Sequence, residues 1–281
     1  MEYSPFLTFA PNKREAFFRK LGHTLPYSYI GRKAASLFLG PAGGRSGTPR
    51  DVSIFKSMRA RLHPHDNICE KRVYLTPQHW DQQERSALAT AIANTSTTTE
   101  RPFTFLDIGA NAGLYSLFAL DVAHRKGIPF RALCLEPDPV MHERLLFNIA
   151  VSKAHNEVTP LRAAISDYDG EVSFSSANNS RGMNQIDQNG DHRVPCFKLS
   201  SVLSDQNITH IDAMKMDIEG HEYKATQSLL EIVEKTTWPS LIILETSHEK
   251  KDASASSLFQ EAGYQKILQT KLNAVLIKQA P

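Results

Sequence analysis

Apolar positions along this chain follow two alternating rhythms from residue 103 onward. Apolar-rich runs at 103–108, 132–135, 211–216 and 241–244 read as buried strands. After the first three runs, apolar or small residues return every three or four positions: Leu114, Leu117, Phe118 and Val122; Met141, Leu145 and Ile149; Tyr223, Thr226, Leu230 and Val233. That spacing predicts amphipathic helices, and the alternation predicts an α/β fold with a mostly parallel sheet. Val158 opens a short further strand, and a last helix stops near the C-cap signal Gly263. Residues 264–268 and 272–277 predict a closing antiparallel pair.

Two regions depart from this rhythm. Asp169-Gly170 signals a hairpin turn, Val172 and Phe174 alternate after it, and 194–199 reads as the return strand. The polar segment 175–192, with Arg181, is expected as a loop in an insertion around 163–199, either covering a ligand or simply solvated. Before the alternating region, residues 13–21 and the stripe Ile30, Ala34, Leu37 and Phe38 predict two helices, and 40–47 a hinge or linker. Residues 58–62 and 73–75 are expected to pair around the polar segment 63–67, ahead of a helix over 80–93. The expected organisation is a helical extension and linker (1–50), a hairpin and helix leading into the core (51–100), and the α/β domain (101–281).

Composition narrows the class. With 281 residues, 41% of them apolar, the chain can bury one substantial core. No apolar run is long enough to cross a bilayer and no signal-peptide pattern begins the chain, so a cytoplasmic protein is expected. Cys69, Cys134 and Cys196 are far apart and form no Cys-x-x-Cys pair, which argues against disulfides and structural zinc. The net charge of +2 hides an asymmetry. Residues 1–72 carry 13 Lys and Arg against 5 Asp and Glu, a net +8; the remainder carries 19 against 25, a net −6. Such a basic arm fits an anionic substrate, a membrane surface touched peripherally, nucleic acid, or the acidic body of a second copy in a homodimer. A solvated face without a partner is the plainest reading.

Candidate chemistry gathers where strands end, as ligands do in open α/β sheets. Asp107-Ile108-Gly109-Ala110-Asn111-Ala112-Gly113 is a tight strand-to-helix turn whose helix start suits a carboxylate or phosphate. Glu136 closes the second strand, where an acid grips ribose hydroxyls, while Asp138-Pro139 reads as N-cap and first helical position. Period two places Lys215 and Asp217 on one side of the fourth strand, with Glu219 just beyond. Asp217 and Glu219 are expected to be acceptor-side carboxylates, the alternative for Asp217 being a structural ion pair with Lys215. Glu222 is read as complementing the helix start. His221 is the expected general base and His248, past the fifth strand, the reserve. Three acids this close could take Mg²⁺, but helix starts collect acids anyway, and no metal is expected. His63 and His65 flank Pro64 and read as turn residues.

Taken in order, Asp107–Gly113, Glu136-Pro137-Asp138, Ala164-Ile165-Ser166 with Gly170, residues 215–222 and Glu245 resemble the FkbM family of S-adenosylmethionine-dependent methyltransferases. The resemblance runs through about residues 55–280 and implies the Rossmann-like class I methyltransferase sheet. It implies S-adenosylmethionine as cofactor, S-adenosylhomocysteine as product, and methyl transfer to a hydroxyl of a small secondary metabolite or glycan. By the family pattern, Asp107, Gly109, Asn111 and Gly113 surround the methionine part of the cofactor, with Tyr115 and Ser116 at the same end. Glu136 holds the ribose, and Ser166 and Asp167 lie near the adenine; Asp167 reads equally well as a turn residue. An NAD enzyme requires Gly-x-Gly-x-x-Gly, and Asn111 stands where its second glycine belongs. A nucleic-acid methyltransferase using the basic arm and a non-catalytic binding module are the remaining alternatives. The first usually carries Asn/Asp-Pro-Pro-aromatic where this chain has Asp217-Ile218-Glu219-Gly220.

Overall fold

The computed structural model describes residues 4–95, 101–175, 185–186, 192–232, 234–250 and 252–279. The chain opens with α1 (Lys13–His23) and α2 (Tyr29–Leu39), a β1 (Arg50–Ile54) and β2 (Met58–Leu62) hairpin, α3 (Ile68–Leu75) and α4 (Gln82–Ala93). The alternating region follows as β3 (Phe103–Ile108), α5 (Leu114–Lys126), β4 (Phe130–Leu135), α6 (Pro139–Ser152) and β5 (Val158–Leu161). A second sheet contains β6 (Ala164–Ser166), β7 (Gly170–Ser175), β8 (Gln185–Ile186) and β9 (His192–Lys198). The main fold resumes with α7 (Leu199–Asp205), β10 (Ala213–Met216), α8 (Glu222–Ile232), β11 (Leu241–Glu245), α9 (Ala255–Glu261), β12 (Tyr264–Gln269) and β13 (Asn273–Lys278).

Seven strands make the central sheet in the order β12-β13-β11-β10-β3-β4-β5. β10, β11, β3, β4 and β5 pair in parallel, and β13 runs against both of its neighbours. After β3 the chain builds outward through β4 and β5, then returns to add β10 and β11 on the other side. The strand order therefore reverses between β3 and β10, where an open α/β sheet leaves its crevice. Period two divides the strands between two cores. Phe105, Ala213, Ile243 and Val275 face one cluster, and Leu106, Met214, Ile242 and Leu276 face the other.

The segment before β3 shares the first of these cores. Val52, Met58, Leu62, Tyr74, Trp80 and Leu88 are buried together with residues of α5. Here one expectation is corrected. Residues 73–75 are the end of α3, and β2 pairs instead with β1, Val52 opposite Ala60. Asn67 explains the difference: its side chain accepts the Glu70 N–H at 3.0 Å and caps a helix where the apolar run alone suggested a strand. Residues 40–47, expected as a hinge or linker, are held in place. Ala42 is buried, its carbonyl accepts from Tyr74, and Arg50 bridges the Gly43 carbonyl and Glu15.

Polar anchors fasten this segment to the core. Arg144 on α6 donates to Asp66 at 2.6 and 2.9 Å and to buried Glu70 at 2.7 Å. Asn148 accepts the Arg61 N–H and donates to the Ala112 carbonyl at 3.0 Å, so α6 braces both β2 and the turn after β3. In the second sheet β6 pairs in parallel with β9, and β7 pairs antiparallel with β9 and β8. Most of the expected polar loop, Arg181 included, lies outside the described residues. The three cysteines are free. Among the described residues no helix is long and apolar enough to cross a membrane.

Candidate active site

The turn after β3 is held from below and behind. Gly109 has φ +78°, and a Cβ there would lie 1.8 Å from the Asp217 carbonyl oxygen, so the β3 and β10 loops touch through this glycine. Asn111 also sits at positive φ, 53°, with its side-chain oxygen accepting from Ala112 N–H and from Asn67. No side chain caps the start of α5 behind Gly113, which leaves its first N–H groups for an anion.

Asp107 has no solvent exposure, and the Ser116 hydroxyl donates to its Oδ2 at 2.7 Å. Its Oδ1 has no hydrogen-bond partner among the described residues, and burial pushes this carboxyl up. Ser116 also meets the Cys134 sulfur at 3.0 Å, so it faces the interior behind the turn. Tyr115 points the other way: its hydroxyl donates to Asp81 at 3.1 Å, and its ring lies against Trp80 and under the Lys215 ammonium.

At the tip of β4, Glu136 is 6% exposed and ties two chain segments together. Its oxygens accept the Asn111 N–H at 2.7 Å and the Asp138 N–H at 2.9 Å. Burial outweighs those bonds and pushes the carboxyl up to about 8. Asp138 caps α6 through the Val140 and Met141 N–H groups, as its place before Pro139 predicts. Ser166 is buried at the end of β6 and donates to Asp167, an exposed acid 4.0 Å from Lys224.

The tips of β10 and β11 gather the remaining groups. Lys215 donates to Asp217 at 2.7 Å. Burial alone would lower this ammonium, but Asp217 and Asp107 hold it above its ordinary value. Burial would likewise raise Asp217, and Lys215 outweighs it, keeping that carboxyl low. Burial and Asp217 push the neighbouring Glu245 up to about 9, and burial with Asp217 pushes Glu219 up to about 7. Glu219 sits at φ 53°, a strained backbone for a non-glycine residue, with Gly220 also positive. Glu222 accepts the Ile218 and Gly220 N–H groups at 2.7 and 2.9 Å and so closes this loop.

His248 Nε2 lies 3.0 Å from Glu219 and 3.8 Å from Glu245. His221 stands apart from that group, between Lys224 and Asp167, and burial and Lys224 lower its pKa. Thus the structure brings Asp217 and Glu219 together with His248 and Glu245. Ligand atoms of Glu219, Glu245 and His248 lie within 4.8 Å of one another, close enough to share a cation or a proton. His63, His65 and Asp66 are equally close, but Arg144 is bound to that Asp66 and opposes a metal there.

Asp81 and Asn67 are functional candidates that sequence reasoning missed. Asp81 adopts φ 40°, ψ 49° just before α4, and its carboxylate faces Tyr115 and, at 4.0 Å, Arg72. An acid directly ahead of a helix was the available signal; its direction depends on the packing of α4 against α5.

A precorrin-6y C5,15-methyltransferase from Geobacter metallireducens GS-15 superposes with TM-score 0.43 at 13% identity, over 71% of this chain and 89% of that one. A methyltransferase FkbM from Methylobacillus flagellatus KT gives 0.43 at 15% identity, over 74% of this chain and 54% of that one, so this chain spans about half of that protein. The tRNA m1G37 methyltransferase of M. jannaschii gives 0.42 at 14%, over 83% and 58%. Curated proteins give no match. The family model of the methyltransferase FkbM domain matches residues 107–266, from the acid one residue before the end of β3 into β12. By that match over more than half its length, the chain belongs to the FkbM methyltransferase domain family.

Proposed function

We propose that this chain transfers a methyl group from S-adenosylmethionine to a hydroxyl of a small metabolite or glycan. The observation that carries the reading is the convergence, where the strand order reverses, of the Gly109–Gly113 turn, Glu136 and the β10–β11 carboxylates. When bound, the donor supplies an electrophilic methyl on a cationic sulfur. The fit rests on the uncapped α5 start for a carboxylate, Asp81 beside Tyr115 for an ammonium, and the buried Glu136 carboxyl for ribose hydroxyls. Ser166 and Asp167 would flank the adenine. Asp107, fully buried, acts through the turn it supports, with Ser116 orienting it.

Asp217 is neutralised by Lys215, and Glu136, Glu219 and Glu245 are pushed up to about 8, 7 and 9, so these acids share protons near neutral pH rather than presenting a strong negative field. For proton removal the geometry favours His248 over His221. Glu219 holds one imidazole nitrogen, leaving the other to take the acceptor's proton while Glu219 stabilises the resulting cation. The test is labelled-methyl transfer to a panel of hydroxylated metabolites and oligosaccharides. His248→Ala should lower kcat by roughly 10²–10⁴-fold, and His221→Ala by less than about tenfold. The reverse order would restore His221 as the base. No transfer to any acceptor, combined with no donor binding, would remove the reading altogether.

Glu136 adds a pH signature. Its folded pKa of about 8 exceeds the free value of 4.5, so the folded state holds this proton more tightly. That contribution to stability is complete below the free value and is lost as pH rises through about 8. Ribose hydroxyls donate to the ionised carboxylate, so donor affinity should instead rise over the same window. Calorimetric titration with S-adenosylhomocysteine from about pH 6 to about pH 9 reads this, and Glu136→Gln should flatten the dependence. An unchanged slope in the variant would separate Glu136 from the ribose.

A further inference from the structure

Hydrophobic side chains left in water are concentrated at one end of this molecule. Leu7, Phe17, Tyr27, Tyr29, Ile30 and Leu37 are 49–76% exposed, and they account for six of the eleven exposed large hydrophobic residues described. The other five lie on separate elements after residue 67, whereas four of the early six, Phe17, Tyr29, Ile30 and Leu37, lie on the packed pair α1 and α2.

Helix geometry collects them. In α2, Ile30, Lys33 and Leu37 recur at spacings of three and four and share one outward face, with Tyr29 beside them under the Lys33 ammonium. The opposite side of α2 is used: Gly31 lies against the Pro26 carbonyl, and Phe38 packs on Phe18 of α1 at 6.3 Å. In α1, Phe17 points outward between exposed Lys13 and Lys20, while the inner side of the helix is fastened to α3 by Arg19 and His23 on the Tyr74 carbonyl. The pair is thus anchored to the protein by one side only.

Charge surrounds the apolar face. Lys13, Arg14, Lys20, Arg32 and Lys33 are exposed, and none makes an ion pair with a described residue. Residues 1–50 hold eight Lys and Arg against two Glu, and Glu15 is occupied by Arg50 at 2.8 Å. Long apolar side chains interleaved with cations that make no ion pair among the described residues match a bilayer interface, where the former reach the acyl boundary and the latter the phosphates. In a two-fold dimer the patch would meet itself and set these cations against their own copies, which disfavours a second copy as the occupant.

We propose that α1 and α2 form a peripheral docking surface for a membrane carrying anionic phospholipids. This surface is separate from the acids and glycines of the cleft, and it stands whether or not methyl transfer is established. The test is flotation of the full chain with vesicles of phosphatidylcholine alone or with about 30% phosphatidylglycerol. Partitioning should be at least about tenfold stronger on the anionic vesicles and should weaken in about 0.5 M salt. Ile30→Glu/Leu37→Glu should lower it at least about tenfold, and Lys33→Glu roughly fivefold or more. Both variants should keep the native melting temperature and S-adenosylhomocysteine binding, since these side chains are exposed. Ile30→Trp should retain partitioning. Equal partitioning on neutral and anionic vesicles, or native partitioning by the double variant, would overturn the proposal. So would light scattering that shows a native dimer turned monomeric by Ile30→Glu/Leu37→Glu, which would assign the face to a second copy.

Discussion

Gly109→Ala is expected to destabilise the protein by at least about 3 kcal/mol and to abolish donor binding. The left-handed backbone at φ +78° accounts for roughly 1–2 kcal/mol with any side chain present. The larger contribution is steric: the new methyl would sit 1.8 Å from the Asp217 carbonyl oxygen, and backbone cannot step aside as a side chain can. Relief requires the β3 and β10 loops to separate, which moves the Gly109–Gly113 turn away from the carboxylates at the tips of β10 and β11. Gly127→Ala is the control, because its φ of +65° carries the same backbone penalty with nothing within 4 Å. Urea unfolding should show the control down by about 1–2 kcal/mol with binding intact. Similar losses in both variants would mean the loops do not depend on this contact.

Lys215→Met should cost about 3 kcal/mol or more, because it removes the cation between Asp107 and Asp217 and leaves two acids facing each other in a largely closed space. The Lys215 side chain is 7% exposed and Asp217 34%, so solvent softens one side of the pair and keeps the loss near the lower end of the ~3–5 kcal/mol that breaking a buried pair costs. The sign with pH follows from Asp217. Its folded pKa lies below the free value of 3.8, so its stabilisation is present above that value and is lost as pH falls through the folded one. The gap between native and variant should therefore be widest near neutrality and close in acid. Adding Asp217→Asn to Lys215→Met should recover part of the loss, which chemical denaturation can read directly. A double variant worse than the single would contradict an ion-pair account and point to packing of the Lys215 chain on Tyr115.

The central sheet was legible because its strands are apolar runs ending in acids, and because helical spacing separates them. Asp107, Glu136, Asp217 and Glu245 mark four strand ends without any structure. Less was legible before residue 100. Residues 73–75 are short and apolar, a pattern shared by buried helices and strands, and the deciding signal was the polar Asn67 six residues earlier. Glycines and a proline at 40–47 suggested freedom, whereas Arg50 and Tyr74 hold that turn from distant positions.

The arrangement of the site divides the same way. Asp217 and Glu219 are neighbours in sequence, and period two is enough to place them. His221 follows them directly and drew attention for that reason, yet it leads into α8 beside Asp167 and Lys224. His248 comes to Glu219 only because β11 lies parallel to β10, with Met216 opposite Leu244, a pairing that no local spacing encodes. Asp81 reaches Tyr115 through helix packing and is invisible to motif reading for the same reason.

The claim beneath all of this is that the cleft between the β3 turn and the β4 tip holds an adenosyl sulfur donor. Calorimetric titration of the native protein with S-adenosylhomocysteine tests it most directly, with Glu136→Gln run alongside and the nicotinamide dinucleotides as competitors. One site per chain with a micromolar Kd, weakened at least about tenfold by Glu136→Gln and untouched by the dinucleotides, is the predicted result. No heat from the native protein, or equal affinity in the variant, would contradict it.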